Sequence, residues 1–217
     1  MNKSLSRALI GIILIVFLSI SALVGLYTDF LWFSAAGFEQ IFLISIFAKI
    51  KLFIIAAVLF FIFATINIWI SSKLIEKDKV PFKFKLLITT ILSFIVGITI
   101  SQSWFKVLQY INQTAFNVVD PIFMKDVSFY IFSLPFYQFI LGFLLITLAI
   151  TIVLVALDHF KSDIEKIVKQ PQVSASIPGE VPMLTPRFDF NTLLTRTKAI
   201  KHIGLLVSIF FFLLAIK

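Results

Sequence analysis

The chain contains no cysteine, so it can build neither a disulfide framework nor thiolate chemistry. Charge is scarce as well: Asp, Glu, Lys and Arg make up 14% of the residues, against about 25% in an ordinary soluble domain. Histidine occurs only as His159 and His202. Glycine-rich phosphate loops, nucleophile elbows and zinc-ligand spacings are missing, and no stretch repeats itself. What fills the chain instead is apolar: 60% of its 217 residues are hydrophobic, 27 of them Phe. A core built in water by a chain of this length could not hide that many. These absences exclude a soluble globular protein and a disordered one. They predict an all-α, multi-span transmembrane helical bundle.

Four runs read as spans. Ala8 to Tyr27 carries no charge, exceeds the length of a signal-peptide core and is followed by no A-x-A cleavage site, so it is expected to be retained. The second span is 52–70, the third 84–105 and the fourth 136–157. The apolar run before the second begins at Ile41, interrupted by Lys49 and Lys51. The stretch 41–48 either lies in the interface or extends the helix, and the sequence leaves both open. The third span is diluted by Thr89, Thr90, Ser93, Thr99 and Ser101, with Lys85 snorkelling at one end and Trp104 at the headgroups at the other. Residues 203–217 begin a fifth apolar run, read as a truncated span, so the chain is expected to be the first part of a longer protein.

Lys and Arg set the orientation. Lys3 and Arg7, then Lys73, Lys77, Lys79, Lys83 and Lys85, then Lys161, Lys166, Lys169, Arg187, Arg196, Lys198 and Lys201 fall on one side. Lys49, Lys51, Lys106 and Lys125 fall on the other. The N-terminus is therefore expected in the cytoplasm, with the protein in the cell membrane and outer loops at 28–51 and 106–135. This pattern accounts for the net charge of +8 without nucleic acid. Residues 169–202 read as a cytoplasmic Pro-rich linker (Pro171, Pro178, Pro182, Pro186) ending in a short surface helix.

Small residues mark packing faces, because helices in lipid join where their backbones approach closely. Thr89, Ser93, Gly97 and Ser101 share one face of the third span; Gly142, Ala149 and Ala156 share one face of the fourth. A polar substrate path along the first row is the sharper alternative. Against it, the span interiors show no acid, base or His, which coupled pathways use. Asn67 is read as an interhelical hydrogen-bonding residue, and both His as cytoplasmic.

The outer side is the most distinctive region. Trp104, Leu108, Ile111, Ala115 and Val118 keep a helical period, so the third span is expected to continue as an amphipathic helix until Pro121. The stretch from Asp120 to Tyr137 leads into the fourth span, with Pro135 near the helix start, where its missing N–H is harmless. Asp120 and Asp126 are two carboxylates without further convergent ligands, and are read as structural pins rather than a metal or acid–base pair.

Two segments carry a resemblance. Asp29-Phe30-Leu31-Trp32-Phe33 with Gly37-Phe38 resembles a "DWLWF…GY" element that follows the first span of an uncharacterised membrane-protein family, number 0182 of the UPF series. Asp120, Pro121, Ile122, Phe123, Asp126, Val127, Ser128, Phe129, Tyr130, Phe132, Leu134, Pro135, Phe136 and Tyr137 resemble its "DPiFgkDvsFYvFxLPfY" signature. Met124 stands where that pattern usually has Gly. The resemblance implies a multi-span N-terminal part followed by a large extracytoplasmic region, in bacteria and archaea, without an established activity. Asp29, Trp32, Asp120, Pro121, Asp126, Phe129, Tyr130, Pro135 and Tyr137 are its motif residues, here expected to be structural.

The expected role is non-enzymatic: a scaffold or anchor for an extracytoplasmic domain, needing no cofactor. Its partners are the lipid bilayer and the downstream part of the same protein or a split-gene counterpart. A transporter or channel component is the alternative, and a membrane enzyme whose catalytic region lies elsewhere is the second.

Overall fold

The computed structural model describes the backbone of residues 3–74, 80–168 and 190–217, and the side chains of 17, 20–74, 80–159 and 197–217. Helices α1 (Lys3–Ala35), α2 (Glu39–Leu74), α3 (Phe82–Ser101), α4 (Trp104–Ile111), α5 (Leu134–Val168) and α6 (Phe190–Ile216) follow in order, with a π-helical turn, Phe129–Ser133, leading into α5. The chain divides into two compact units, Met1–Ile50 and Lys51–Lys217.

Helix is what this composition dictates in lipid, where every backbone N–H and C=O must find its partner within the segment. Several of the hydroxyls that interrupt the apolar runs bond to a carbonyl one turn back. Thr89, Thr90, Thr99 and Thr151 donate to Lys85, Leu86, Ile95 and Thr147 in this way. Four helical stretches among the described residues are long and apolar enough to cross a membrane: Glu39–Leu74, Phe82–Ser101, Phe129–His159 and Thr197–Ile216. The fold is thus an all-α, multi-span bundle. The first expected span, 8–27, lies on α1, but most of its side chains fall outside the described residues.

In the first unit, α1 stops at a Schellman turn. Gly37 adopts φ +77°, Phe38 N–H reaches Phe33 C=O at 2.8 Å and Gly37 N–H reaches Ser34 C=O at 3.0 Å. A side chain would be strained at that position, which explains the glycine of the resemblance motif. Phe42 then packs against the rings of Phe30 and Phe33, at centroid distances of 5.7 and 5.6 Å.

In the second unit, Ala56, Phe60 and Ala64 of α2 form a core with Val96 and Ile100 of α3. A second cluster joins Leu148 and Val155 of α5 to Leu206 of α6. The row Thr89, Ser93, Gly97 and Ser101 is a helix seam: Thr89, Ser93, Gly97 and Ser101 are buried. Ser93 Oγ donates to the Ala57 carbonyl at 2.7 Å. A Cβ on Gly97 would lie 2.8 Å from the Phe53 ring. The row on α5 differs from expectation. Gly142 has nothing within 4 Å of a built Cβ, and the buried face is Leu145, Leu148, Thr151 and Val155 instead.

One alternative left open takes the helical form, and two boundaries differ. The stretch 41–48 is helical, within the 36-residue α2, which at 1.5 Å per residue is about 54 Å long. The expected short surface helix and the fifth run are one continuous helix, α6. Its membrane-length stretch starts at Thr197 rather than at residue 203. The helix expected to run from Trp104 to Pro121 ends at Ile111. Residues 169–189 of the expected linker lie outside the described residues.

Candidate functional site

The junction between α4 and α5 explains that early stop. Helix α4 closes where Asn112 folds back, its Nδ2 donating to the Leu108 carbonyl at 2.9 Å. Beyond it the Asp126 carboxylate offers backbone donors a better partner than a further helical turn. Asp126 Oδ1 accepts the Phe116 N–H at 3.2 Å and the Ser128 N–H at 2.7 Å; Oδ2 accepts the Asn117 N–H at 2.9 Å. Asn117 takes φ +57° to present that donor, a conformation Asn tolerates better than most residues. An antiparallel bridge pairs Val119 with Asp126. The hydrogen bonds from Ser128, backbone N–H first, and then from Phe116 and Asn117 hold the Asp126 carboxyl below the usual range.

Asp120 is pinned the same way. It accepts the Tyr130 hydroxyl at 2.8 Å, the Phe123 N–H at 3.0 Å and the Ile122 N–H at 3.3 Å. Its acidity is strengthened by the Tyr130 hydroxyl above all, then by the Phe123 N–H and the Ile122 N–H. Pro121 begins the tight turn that follows, and Met124 closes it at φ +53°. The resemblance pattern's Gly at this place therefore answers a left-handed backbone that Met adopts at a cost.

Aromatic contacts finish the junction. Tyr110 stacks on Phe136 with ring centroids 4.0 Å apart and planes 6° from parallel. Tyr137 meets Tyr110 edge-on and Phe129 at a tilt, at 5.8 and 6.4 Å. Ser133 Oγ donates to Gln113 Oε1 at 2.8 Å. Pro135 is the second residue of α5, near the helix start as expected, although helical backbone already begins at Val127. The π-helical turn immediately before it, closed by Leu134 N–H to Phe129 C=O, gives the ring the wider turn it needs.

The junction thus unites Asp120, Pro121, Asp126, Phe129, Tyr130, Pro135 and Tyr137. Asp29 and Trp32 belong to the first unit, exposed on α1, with Trp32 edge-on to Phe33 at 5.2 Å.

A second polar site lies at the other end of α3. Lys85 was expected to snorkel outward; it turns inward instead. Its Nζ lies 2.6 Å from Asp158 Oδ1, with side-chain exposures of 7% and 10%. It also donates to Asp158 Oδ2 and to Ser72 Oγ, each at 2.8 Å. Ser71 Oγ donates to Asp158 Oδ2 at 2.8 Å and stands 3.3 Å from His159 Nε2. The pair borders a cavity of about 90 Å³ walled by Ile68, Val80, Phe84, Ile88, Leu154 and Leu157. A charge in such surroundings is tolerated only when paired, which is why the lysine bends in. The sequence hinted at this site only through Asp158, the first residue past the fourth expected span.

Deeper in the bundle, Asn67 Oδ1 lies 3.1 Å from His202 Nε2, while Asn67 Nδ2 donates to the Phe63 carbonyl at 2.8 Å. Asn67 does link helices, as expected. His202, expected in the cytoplasmic segment, sits within the apolar stretch of α6. No group of three or more His, Cys, Asp or Glu able to hold a metal occurs among the described residues.

Comparison with known proteins places these features in a family. A UPF0182 protein of Streptomyces coelicolor is 30% identical over 169 residues, covering 70% of this chain and 17% of its own length. One from the archaeon Methanospirillum hungatei is 29% identical over 184 residues, covering 82% and 20%. One from Clostridium perfringens is 32% identical over 177 residues, covering 75% and 19%. The chain therefore spans about a fifth of the length of these relatives. No solved structure matches it. The model of the uncharacterised protein family UPF0182 matches residues 6–217, and the chain belongs to that family.

Proposed function

We propose that this chain is the membrane-embedded anchor of a larger UPF0182 protein, a scaffold in the cell membrane that presents the α4–α5 junction to the extracytoplasmic side. The observation that carries this reading is the use of both junction carboxylates to hold backbone. Asp126 is consumed by three N–H groups and Asp120 by two N–H groups and a hydroxyl. Groups tied down in this way fix a platform, and the excess of Lys and Arg on the opposite connectors supports a cytoplasmic N-terminus. The partners that follow are bilayer lipid and the remainder of the protein. In whole cells, cysteine introduced by Thr114→Cys should react with an impermeant thiol reagent, and one introduced by Ser174→Cys should not. For the scaffold itself, Asp126→Asn in a full-length family member should lower its abundance in the membrane. Normal abundance with a lost flux or activity would overturn the reading.

One observation favours a second reading, a transporter or channel component. Lys85 and Asp158 form a buried ion pair beside a cavity, and ionisable groups inside a membrane bundle commonly mark pathways. Full-length protein reconstituted in liposomes and carrying Asp158→Asn tests it. Loss of a proton or ion flux at unchanged abundance supports transport; an unchanged flux removes it.

A further inference from the structure

The turn between the two pinned carboxylates has a property that neither the scaffold nor the ion pair uses. Ile122, Phe123 and Met124 stand 78%, 69% and 74% exposed, consecutive in sequence at the tip of the α4–α5 junction. An apolar tip of this kind needs an apolar neighbour, and its place beside a spanning segment points to lipid.

Pro121 has no N–H to offer. Ile122 and Phe123 give theirs to the Asp120 carboxylate, and Met124 gives its N–H to the Asp120 carbonyl at 3.0 Å. Four successive residues therefore present side chains and no free donor. Donors satisfied within the turn suit a backbone that reaches the headgroup boundary, where little water is left to take them. The carboxylates that flank the tip, Asp120 and Asp126, are engaged by backbone N–H groups and the Tyr130 hydroxyl, which leaves Lys125 as the charge beside it that faces outward. Lys125 follows the tip at an exposed position, where its flexible stem reaches phosphates while its neighbours sit below them. The tip is also continuous with a spanning segment: helical backbone resumes at Val127, and Phe129–His159 is long and apolar enough to cross a membrane. Finally the turn is fixed in advance. Tyr130 holds Asp120, and Asp120 N–H bonds to the Lys125 carbonyl at 2.8 Å, so insertion orders little that is not already ordered.

We infer that the 121–124 turn is a lipid-contacting wedge: Ile122, Phe123 and Met124 enter the boundary between headgroups and acyl chains beside the bundle, and Lys125 engages lipid phosphate. Such insertion reaches about 5–10 Å below the surface. The inference rests on the bundle lying in a membrane, and the test separates the two claims.

Because the chain has no cysteine, one introduced thiol labels cleanly. Phe123→Cys, and independently Ile122→Cys, is coupled to an environment-sensitive fluorophore and reconstituted in phosphatidylcholine–phosphatidylglycerol vesicles. Ile95→Cys, on the exposed side of mid-α3, serves as the spanning control. The expected result is a blue-shifted tip probe that nitroxides near the headgroups quench more than nitroxides at the bilayer centre, with aqueous iodide almost without effect. Quenching by iodide comparable to that of free dye puts the tip in water and overturns the wedge. Protection from both iodide and nitroxide lipids means a protein surface covers the tip, and overturns it too. With either outcome, an Ile95 probe quenched from the bilayer centre leaves the membrane bundle standing. An Ile95 probe quenched by iodide instead removes both claims.

Discussion

Lys85 and Asp158 meet across the bundle, Nζ to Oδ1 at 2.6 Å, although 73 residues separate them in sequence. Removing one partner strands the other charge. Asp158→Ala is expected to destabilise the chain by about 3–5 kcal/mol, whereas the double change Lys85→Met with Asp158→Leu should be close to neutral. Thermal unfolding of the detergent-solubilised protein measures both. Equal losses for the single and double variants would contradict the pairing.

Two glycines should answer alanine in opposite ways. A Cβ at Gly97 meets the Phe53 ring at 2.8 Å and the Ala57 Cβ at 3.0 Å. The α2–α3 seam must therefore open, costing about 1–3 kcal/mol. At Gly142 nothing lies within 4 Å, and Gly142→Ala should stabilise α5 by about 0.5–1 kcal/mol through helix propensity. Unfolding midpoints of the two variants, compared side by side, decide the matter.

Met124 holds a left-handed backbone at φ +53°. Replacing it by glycine removes a Cβ strain of about 1–2 kcal/mol, part of which the looser unfolded chain takes back. Met124→Gly is therefore expected to raise stability by about 0.5–1 kcal/mol, and Met124→Val to lower it. A destabilised glycine variant would show that the side chain matters more than the backbone.

The junction should loosen in acid. Asp126 and Asp120 titrate below the ordinary value of 3.8 because the folded junction bonds to their charged forms. Lowered folded values mean stability that is complete above the unfolded value and is lost as pH falls through the folded one. Amide exchange at Asn117 and Ser128 should accordingly accelerate as pH drops below about 4, beyond the intrinsic pH dependence of exchange. In Asp126→Asn that additional acceleration should shrink, with faster exchange already at neutral pH.

Three of the four expected spans, 52–70, 84–105 and 136–157, were legible because lipid makes length and apolarity nearly sufficient for a helix. What escaped the sequence reading was compensation at a distance. Lys85 looks like a snorkelling end residue until Asp158 is brought beside it, and no local pattern announces a partner on another helix. Similarly, Lys198, Lys201 and His202 appear to interrupt the last apolar run. The helix passes straight through them, with His202 Nε2 beside Asn67 Oδ1. The helix expected beyond Ile111 failed for the converse reason. The period from Trp104 to Val118 is present, but Asp126 competes for the N–H groups that a longer helix would have used. At the junction itself the motif residues were found and their structural character was expected. Their individual duties, such as Tyr130 gripping Asp120, needed coordinates.

The π-helical turn at Phe129–Ser133 has a consequence for the angle at which the chain enters α5. An α-helix advances about 100° per residue, so one additional residue held in a turn reorients everything before it by that angle about the axis of α5. Deleting Ile131 would let an ordinary turn close, collide with the Pro135 ring and swing Asp126 away from Phe116 and Asn117. A single-residue deletion here should therefore be far less tolerated than a substitution at the same place, because the spacing sets the angle from which Asp126 meets Phe116 and Asn117.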